Sequence, residues 1–250
     1  MTPRILLWDL ETSHNIVATF RLDNEDYIPH RNILKERQII CAAWKWLGEA
    51  KVHTASTLGS DKALVKQVYK VMLQADAIVA HNGQQYDEKF LNARIIFHGL
   101  DPLPPVLSLD TLKIARQKFY FNSNRLDYLG QYLGVGHKRD TETDLWLKVM
   151  RGDKRALKQM LAYNVQDVEL LERVFLRLKP YMPNYVNRQL YGLDQGVEVS
   201  CPECGSTHSQ AGPNHVSTTR AYKRYRCMKC RRWYRVNKAL KAPRTMTRAL

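Results

Sequence analysis

The chain has 250 residues, is 44% hydrophobic and carries a formal net charge of +15, with a sequence pI near 9.7. That length suits one α/β domain with a smaller module, and the charge points to a polyanionic partner, most simply nucleic acid. The first apolar run is too short for a leader or a membrane span, and four of the five cysteines form two Cys-x-x-Cys pairs, which argues against a disulfide scaffold and for metal binding in a reducing, cytoplasmic setting.

Ile5 to Trp8 read as a buried strand, and Asp9 and Glu11 then interrupt the apolar run. Side chains at i and i+2 share a strand face, so the two carboxylates are expected together at the strand's end. Like charges at close range resist joint ionisation. Oxygen ligands of this kind favour hard ions such as Mg²⁺ or Mn²⁺, which would relieve the repulsion. Taken alone, the pair fits equally a strand whose last residues enter solvent. Ile16 to Leu22, Ile39 to Leu47 and Lys51 to Thr57 are further predicted strands. Trp44 and Trp46 share one face and read as packing. Residues 61–74 place apolar side chains at helical spacing, with Asp61 or Ser60 as N-cap. Ala77 to Ala80 is a short strand, and the resulting pattern suggests a mixed α/β sheet.

His81-Asn82-Gly83-Gln84-Gln85-Tyr86-Asp87 follows that strand and precedes a helix containing Phe90, Leu91, Ile95 and Ile96. By position alone, Asp87 reads as a helix-start residue. Asn82, Gly83 and Gln84 can turn the chain and offer amides to a nucleotide. Val106 to Leu109 reads as an edge strand, Thr111 to Phe119 as a helix, and Asn124 as the cap of a helix ended by Gly134. Lys138 and Arg139 lie in the next loop, either solvated or within reach of a phosphate. A long helix is predicted over 154–178, with Leu157, Leu161, Asn164, Val168 and Phe175 on one stripe. Tyr163 and Asp167 are i and i+4 neighbours at its edge.

Asp-x-Glu at 9–11, Asn-x-x-x-Tyr-Asp at 82–87 and Tyr-x-x-x-Asp at 163–167 occur in this order. Residues 4–178 thereby resemble the DnaQ-like 3′–5′ exonucleases of the RNase H-like fold, in the DEDDy subgroup, and the second motif is similar to that of family B DNA polymerase proofreading domains. The resemblance implies an RNase H-like mixed sheet flanked by helices. It implies that Asp9, Glu11, Asp87 and Asp167 hold two Mg²⁺ or Mn²⁺ ions and that Tyr163 orients the attacking water. Asp9 would bridge both ions, Glu11 and Asp167 would complete the nucleophile-side site, and Asp87 would serve the other largely through water. The implied reaction releases nucleoside 5′-monophosphates, with DNA the preferred substrate and RNA the alternative. A catalytically idle nucleic-acid-binding module is the reading from another class. No polymerase domain is expected in these 250 residues, so proofreading in cis is not expected; replication or repair proteins are candidate partners.

The pattern breaks after Leu178. The expected organisation is a nuclease domain over 1–180, a linker over 181–198, a zinc ribbon over 199–236 and a disordered basic tail over 237–250. Cys201, Cys204, Cys227 and Cys230 suit one tetrahedral, structural Zn²⁺, with His208 and His215 as weaker candidates. The 22 residues between the pairs slightly exceed the usual spacing and suggest an enclosed hairpin. The module is similar to the zinc ribbons of transposases and other DNA-associated proteins. Residues 196–250 hold 12 Lys and Arg against 2 Asp and Glu, a net of +10, whereas the remainder holds 27 and 22, a net of +5. Arg224, Arg226, Arg231, Arg232, Trp233 and Arg235 are therefore expected to grip nucleic acid, with cations on one strand face and rings on the other. Cys41 is expected to pack rather than react.

Overall fold

The computed structural model describes residues 3–19, 27–138, 144–182, 185–187, 190, 200–217 and 220–240. The chain divides into two compact units, Arg4–Met182 and a second beginning at Pro183.

The larger unit is built on β1 (Ile5–Thr12), whose first residues are buried on both faces. Next in the chain come β2 (Ile16–Val17), β3 (Ile33–Lys35), β4 (Ile39–Trp46), β5 (His53–Ser56), α1 (Lys62–Met72), β6 (Ala77–Ala80), α2 (Asp87–Phe97) and β7 (Leu107–Asp110). The main sheet has the order β5-β4-β1-β6-β7. β4 runs antiparallel to β1 and β5, while β6 and β7 run parallel to their neighbours. The expected mixed α/β, RNase H-like sheet is present, with β7 at the edge. β2 keeps only the first two residues of the predicted 16–22 strand, and residues 20–26 lie outside the described set.

Period-two alternation divides β1 between two layers. Leu6, Trp8 and Leu10 pack with Leu64, Val65, Val68, Leu91 and Ile95 beneath α1 and α2. The odd-numbered residues, including Asp9 and Glu11, lie on the opposite face. There α3 (Thr111–Lys118), α4 (Leu126–Tyr132), α5 (Leu145–Met150) and α6 (Lys154–Leu178) form the second helical layer, with α6 packed on β1 and β4. α6 is an amphipathic helix of 25 residues started by Asp153, whose side chain accepts hydrogen bonds from Arg155 N and Ala156 N. α4 lies close to α6 because Gly130 has no side chain. A Cβ there would stand 2.6 Å from Gly136 O and 2.7 Å from Leu170 Cδ1.

Two expected caps differ. Asp61 precedes α1 without capping it: its carboxylate is fully buried and accepts from Ile39 N, Arg94 and His98. Arg125, not Asn124, precedes α4, and the Asn124 carbonyl meets His81 Nε2 at 2.9 Å. At Asp61 tertiary partners take the carboxylate that a local cap would use, whereas Asn124 Oδ1 is buried without a hydrogen-bond partner.

The smaller unit contains β8 (Ser209–Val216), β9 (Ala221–Cys227) and β10 (Trp233–Ala239), an antiparallel sheet in the order β10-β9-β8. β8 and β9 are the hairpin expected between the cysteine pairs. β10 extends to Ala239, so residues 237–239 of the expected tail are strand; residues 241–250 and most of the expected linker lie outside the described residues. Among the described residues no helix is long and apolar enough to cross a membrane.

Candidate active site

β1 and α6 bring the acids together. Asp9 and Glu11 lie opposite Ala43 and Cys41 of β4, on the face that α6 covers. Asp167 projects from α6, and the carboxylates of Asp9, Glu11 and Asp167 each offer an oxygen within 4.8 Å of the others. Asp87 stands outside this triad at the first turn of α2. β6 pairs only with Ile5–Leu7, and Asp87 accepts a hydrogen bond from the amide of Leu10 beyond that pairing. Gly83 makes the turn to Asp87 feasible, because a Cβ there would lie 2.4 Å from Ala80 Cβ. Thr12 and Tyr86 share a hydrogen bond of 2.9 Å that ties the end of β1 to the same loop.

The cluster is electrostatically strained. Burial, followed by the Asp87, Glu11 and Asp167 charges, pushes Asp9 well above its ordinary value. Burial and Asp167 push Glu11 up to about 8. Burial raises Asp87 to about 6 and raises Asp167 as well. Asp167 Oδ1 is buried without a hydrogen-bond partner. Crowded oxygen ligands, raised carboxyls and an orphaned carboxylate oxygen fit a divalent cation held by Asp9, Glu11 and Asp167.

Three further residues complete the surroundings. Lys138 Nζ donates to Asp167 Oδ2 at 2.5 Å and to Tyr163 OH at 3.1 Å. Burial opposes its charge, but Asp167 outweighs burial and raises its pKa. The loop is held in place by Lys138 N donating to Asp127 Oδ1 and by Gln166 Nε2 donating to His137 O. Arg139, its neighbour, lies outside the described residues. Asn164, fully buried, donates from Nδ2 to Asp9 Oδ2 at 2.6 Å. Trp146 of α5 hydrogen-bonds the Glu11 carboxylate and packs edge-on against Tyr163. Sequence reasoning placed Asn164 on a stripe without a role and did not anticipate α5. An amide inside an apolar stripe was the available signal, since a buried polar group needs a partner. Cys41 is buried and its thiol is pushed up by burial and the neighbouring acids, as suits a packing role.

Asn82 has φ 69 and lines a pocket of about 600 Å³ with His81, Arg116, Arg125, Asp127 and Lys138, the last of which reaches Asp167. Such a φ is uncommon outside glycine and is tolerated by asparagine.

In the smaller unit, Cys201, Cys204, Cys227 and Cys230 bring their sulfurs within 4.8 Å of one another. The Cys201–Cys230 and Cys204–Cys227 separations are both 3.6 Å. A tetrahedron with bonds of about 2.3 Å has edges of about 3.8 Å, so the set fits zinc. Both knuckles close alike: Gly205 N donates to Cys201 O and Arg231 N to Cys227 O, with φ 72 and 65 at the closing residues. Burial is outweighed at Cys227 by the amides of Cys230 and Lys229, which bring it down to about 6. His208 and His215 do not join the four sulfurs.

The strand faces of this unit differ from expectation. Trp233 lies opposite Arg226, and Arg235 opposite Arg224. Arg224 stacks over Trp233 at 4.8 Å and Arg235 over Tyr222 at 4.1 Å. Cations and rings are interleaved on one face, because residues 222, 224 and 226 share parity and diagonal neighbours reach across strands. Arg232 is engaged by Glu203 at 2.8 Å, bridging the two knuckles. A Cβ at position 212 would meet the Trp233 ring at 2.3 Å.

A mixed sheet with carboxylates gathered at the end of its central strand and on the covering helix defines an RNase H-like protein with a nuclease-like site. The model of the RNase_H superfamily matches residues 35–179, more than half of the chain, and the chain belongs to that superfamily. It is similar in structure to the family B DNA polymerase from the hyperthermophilic archaeon Pyrobaculum calidifontis, with a TM-score of 0.56 and 13% identity over 89% of this chain. The match spans 32% of that polymerase chain. Comparison with curated proteins finds no match.

Proposed function

We propose that the protein is a metal-dependent 3′–5′ exonuclease that releases nucleoside 5′-monophosphates, preferentially from DNA, with a zinc ribbon that grips nucleic acid. The observation that carries this reading is the buried cluster of Asp9, Glu11 and Asp167, with Asp87 close by and Tyr163 against Asp167. Bound divalent ions would supply a more acidic water and charge neutralisation at the leaving 3′-oxygen. The chain's own contributions follow from its geometry. Asn164 fixes the Asp9 carboxylate, and Trp146 fixes that of Glu11. Tyr163 presents a hydroxyl that burial, then Asp167, holds up at about 12, so it stays protonated and can orient a water by hydrogen bonding. Lys138 neutralises the acids and, once a cation takes over that task, has an ammonium free to meet a substrate phosphate.

Digestion of end-labelled DNA and RNA oligonucleotides with Mg²⁺ and with chelator tests the reading. Mg²⁺-dependent release of mononucleotides from the 3′ end is expected, with DNA degraded faster. Degradation of RNA alone would assign an exoribonuclease, and binding without release would assign the idle module.

Tyr163→Phe is expected to slow hydrolysis roughly 10²–10⁴-fold, the usual contribution of a positioned proton-handling group. Mn²⁺ affinity should be nearly unchanged, because the hydroxyl ligates nothing in this proposal. Single-turnover rates and metal titrations check this, and an unaltered rate removes Tyr163 from the mechanism.

Cys227→Ser is expected to lose zinc and unfold the ribbon, because metal binding supplies the folding energy of such modules. The Arg4–Met182 unit has its own core and should unfold at its original temperature. Affinity for a labelled oligonucleotide should fall, with a shallower salt dependence of about 0.7–0.9 per lost phosphate contact. An unchanged slope would make a protein the ribbon's target.

A further inference from the structure

A run of aromatic rings crosses the surface of the larger unit. Tyr181 meets Phe119 edge-on at 4.8 Å, and Phe119 stacks on Phe121 at 5.0 Å. Phe121 meets Tyr132 at 5.1 Å, and Tyr132 stacks on Tyr128 at 6.0 Å. These rings are not a hidden core. Tyr132 is 64% exposed and Tyr181 55%, while Tyr120, between the two phenylalanines, is fully exposed. The segments that carry the run are rich in cations. Residues 111–125 contain Lys113, Arg116, Lys118 and Arg125 and no Asp or Glu, and residues 173–181 contain Arg173, Arg177 and Lys179 and again no acid. One end of the run continues into the pocket that Lys138 shares: Asn122, next to Phe121, lines it together with Arg116, Arg125, Lys138 and one acid, Asp127. Lys138 in turn touches Asp167 and Tyr163.

We propose that this ridge is a stacking track for single-stranded nucleic acid: the pocket takes the residues nearest the 3′ end, and the rings take the bases upstream of them. The inference rests on the nuclease reading above and adds a second binding surface within the same unit. Every base offers a π-face, so the exposed rings of Tyr120, Tyr132 and Tyr181, with the half-buried rings between them, hold a strand without reading its sequence. The interspersed guanidinium and ammonium groups match the repeating phosphates. The seven cations outnumber their acidic neighbours, Asp127, which lines the pocket, and Glu169, which pairs with Arg173 at 3.9 Å, and that basic excess suits a phosphate backbone better than a protein partner. A duplex, whose bases are stacked on each other, gives the rings nothing to hold, so the track selects single strands.

The test measures binding, so that it does not depend on cleavage. Fluorescence anisotropy with chelator present compares the full chain with Tyr120→Ala/Tyr132→Ala on oligothymidylates of about three and about twelve nucleotides and on a blunt duplex. Loss of one stacked base is expected to weaken long-strand binding by roughly 5- to 150-fold. The short oligonucleotide and the duplex should be bound as before. Tyr120→Phe/Tyr132→Phe, which keeps both rings, should bind the long strand like the parent. Tyr120→Ala alone, at a fully exposed position, provides the same comparison should the double variant melt below the parent. Parent-like affinity of the alanine variants for the long strand overturns the track, as does an equal loss on the duplex or a loss in the phenylalanine variants. Failure of the nuclease reading would show separately, as selective long-strand binding by a protein that releases no nucleotides.

Discussion

Asp9→Asn is expected to lower cleavage by at least about a thousandfold, since charge stabilisation at the reacting centre is commonly the largest single contribution to such catalysis. The same substitution should stabilise the metal-free protein at pH 8. Asp9 is held well above its ordinary value by burial and by Asp87, Glu11 and Asp167, and Glu11 is raised from 4.5 to about 8 by burial and Asp167. A carboxyl with a raised folded-state pKa contributes stability that is complete below its unfolded value and is lost as pH rises through its folded value. The metal-free protein should therefore weaken between about pH 4.5 and pH 8, by an amount on the order of a few kcal/mol. Replacing one charge of the cluster removes much of that slope. Asn164 Nδ2, which now donates to Asp9, can still donate to the Oδ1 of an asparagine. Mn²⁺ should raise the melting temperature of the parent far more than that of the variant. Urea titrations with chelator at pH 5 and pH 8 provide the measurement. A variant less stable than its parent at pH 8 would mean that the carboxylate is structural.

The sheet and its acids were legible because two simple periods carry them. Alternation along β1 put Asp9 and Glu11 on one face, and the i, i+4 relation put Tyr163 beside Asp167. The cysteine spacing likewise led to the four-sulfur cluster and the hairpin between its halves. What escaped was every residue whose role is set by a distant partner. Lys138 reads as a loop lysine until Gly130 lets α4 close on α6 and Asp127 and Gln166 pin the loop. Trp146 reaches Glu11 from a helix of only six residues, too short to announce itself by periodicity. On the ribbon, the sequence contained the correct parity for residues 222, 224 and 226, but the ring that Arg224 covers comes from β10, and cross-strand register is not a local property.

Asp61 is the most consequential of these cases and carries the second large expected effect. Local rules make it a helix cap; the fold makes it the hub of a buried ion cluster. Its carboxylate accepts from Arg94 Nε and Nη2 at 2.7 Å each, meets His98 Nε2 at 2.7 Å and accepts from Ile39 N at 3.0 Å. It thereby joins the start of β4 and the N-terminal end of α1 to the last turn of α2. Burial would raise its pKa, but the hydrogen bonds from Arg94, His98 and Ile39 outweigh burial and hold it below the ordinary value. Asp61→Asn should cost roughly 3–5 kcal/mol, because it leaves Arg94 buried without a counter-charge. Asp61→Leu combined with Arg94→Met should recover much of that loss, since replacing both partners removes the uncompensated charge. The pH signature has the opposite sign to that of the catalytic acids. A depressed carboxyl contributes stability present above its unfolded pKa and lost as pH falls through its folded value. Asp61→Asn should therefore flatten the acid limb of the stability curve and leave the decline towards pH 8 intact, whereas Asp9→Asn flattens the decline and leaves the acid limb. Chemical denaturation of both variants across pH 3 to 8 distinguishes them, and a loss below about 1 kcal/mol for Asp61→Asn would show that the cluster is solvated and does not hold β4 to α2.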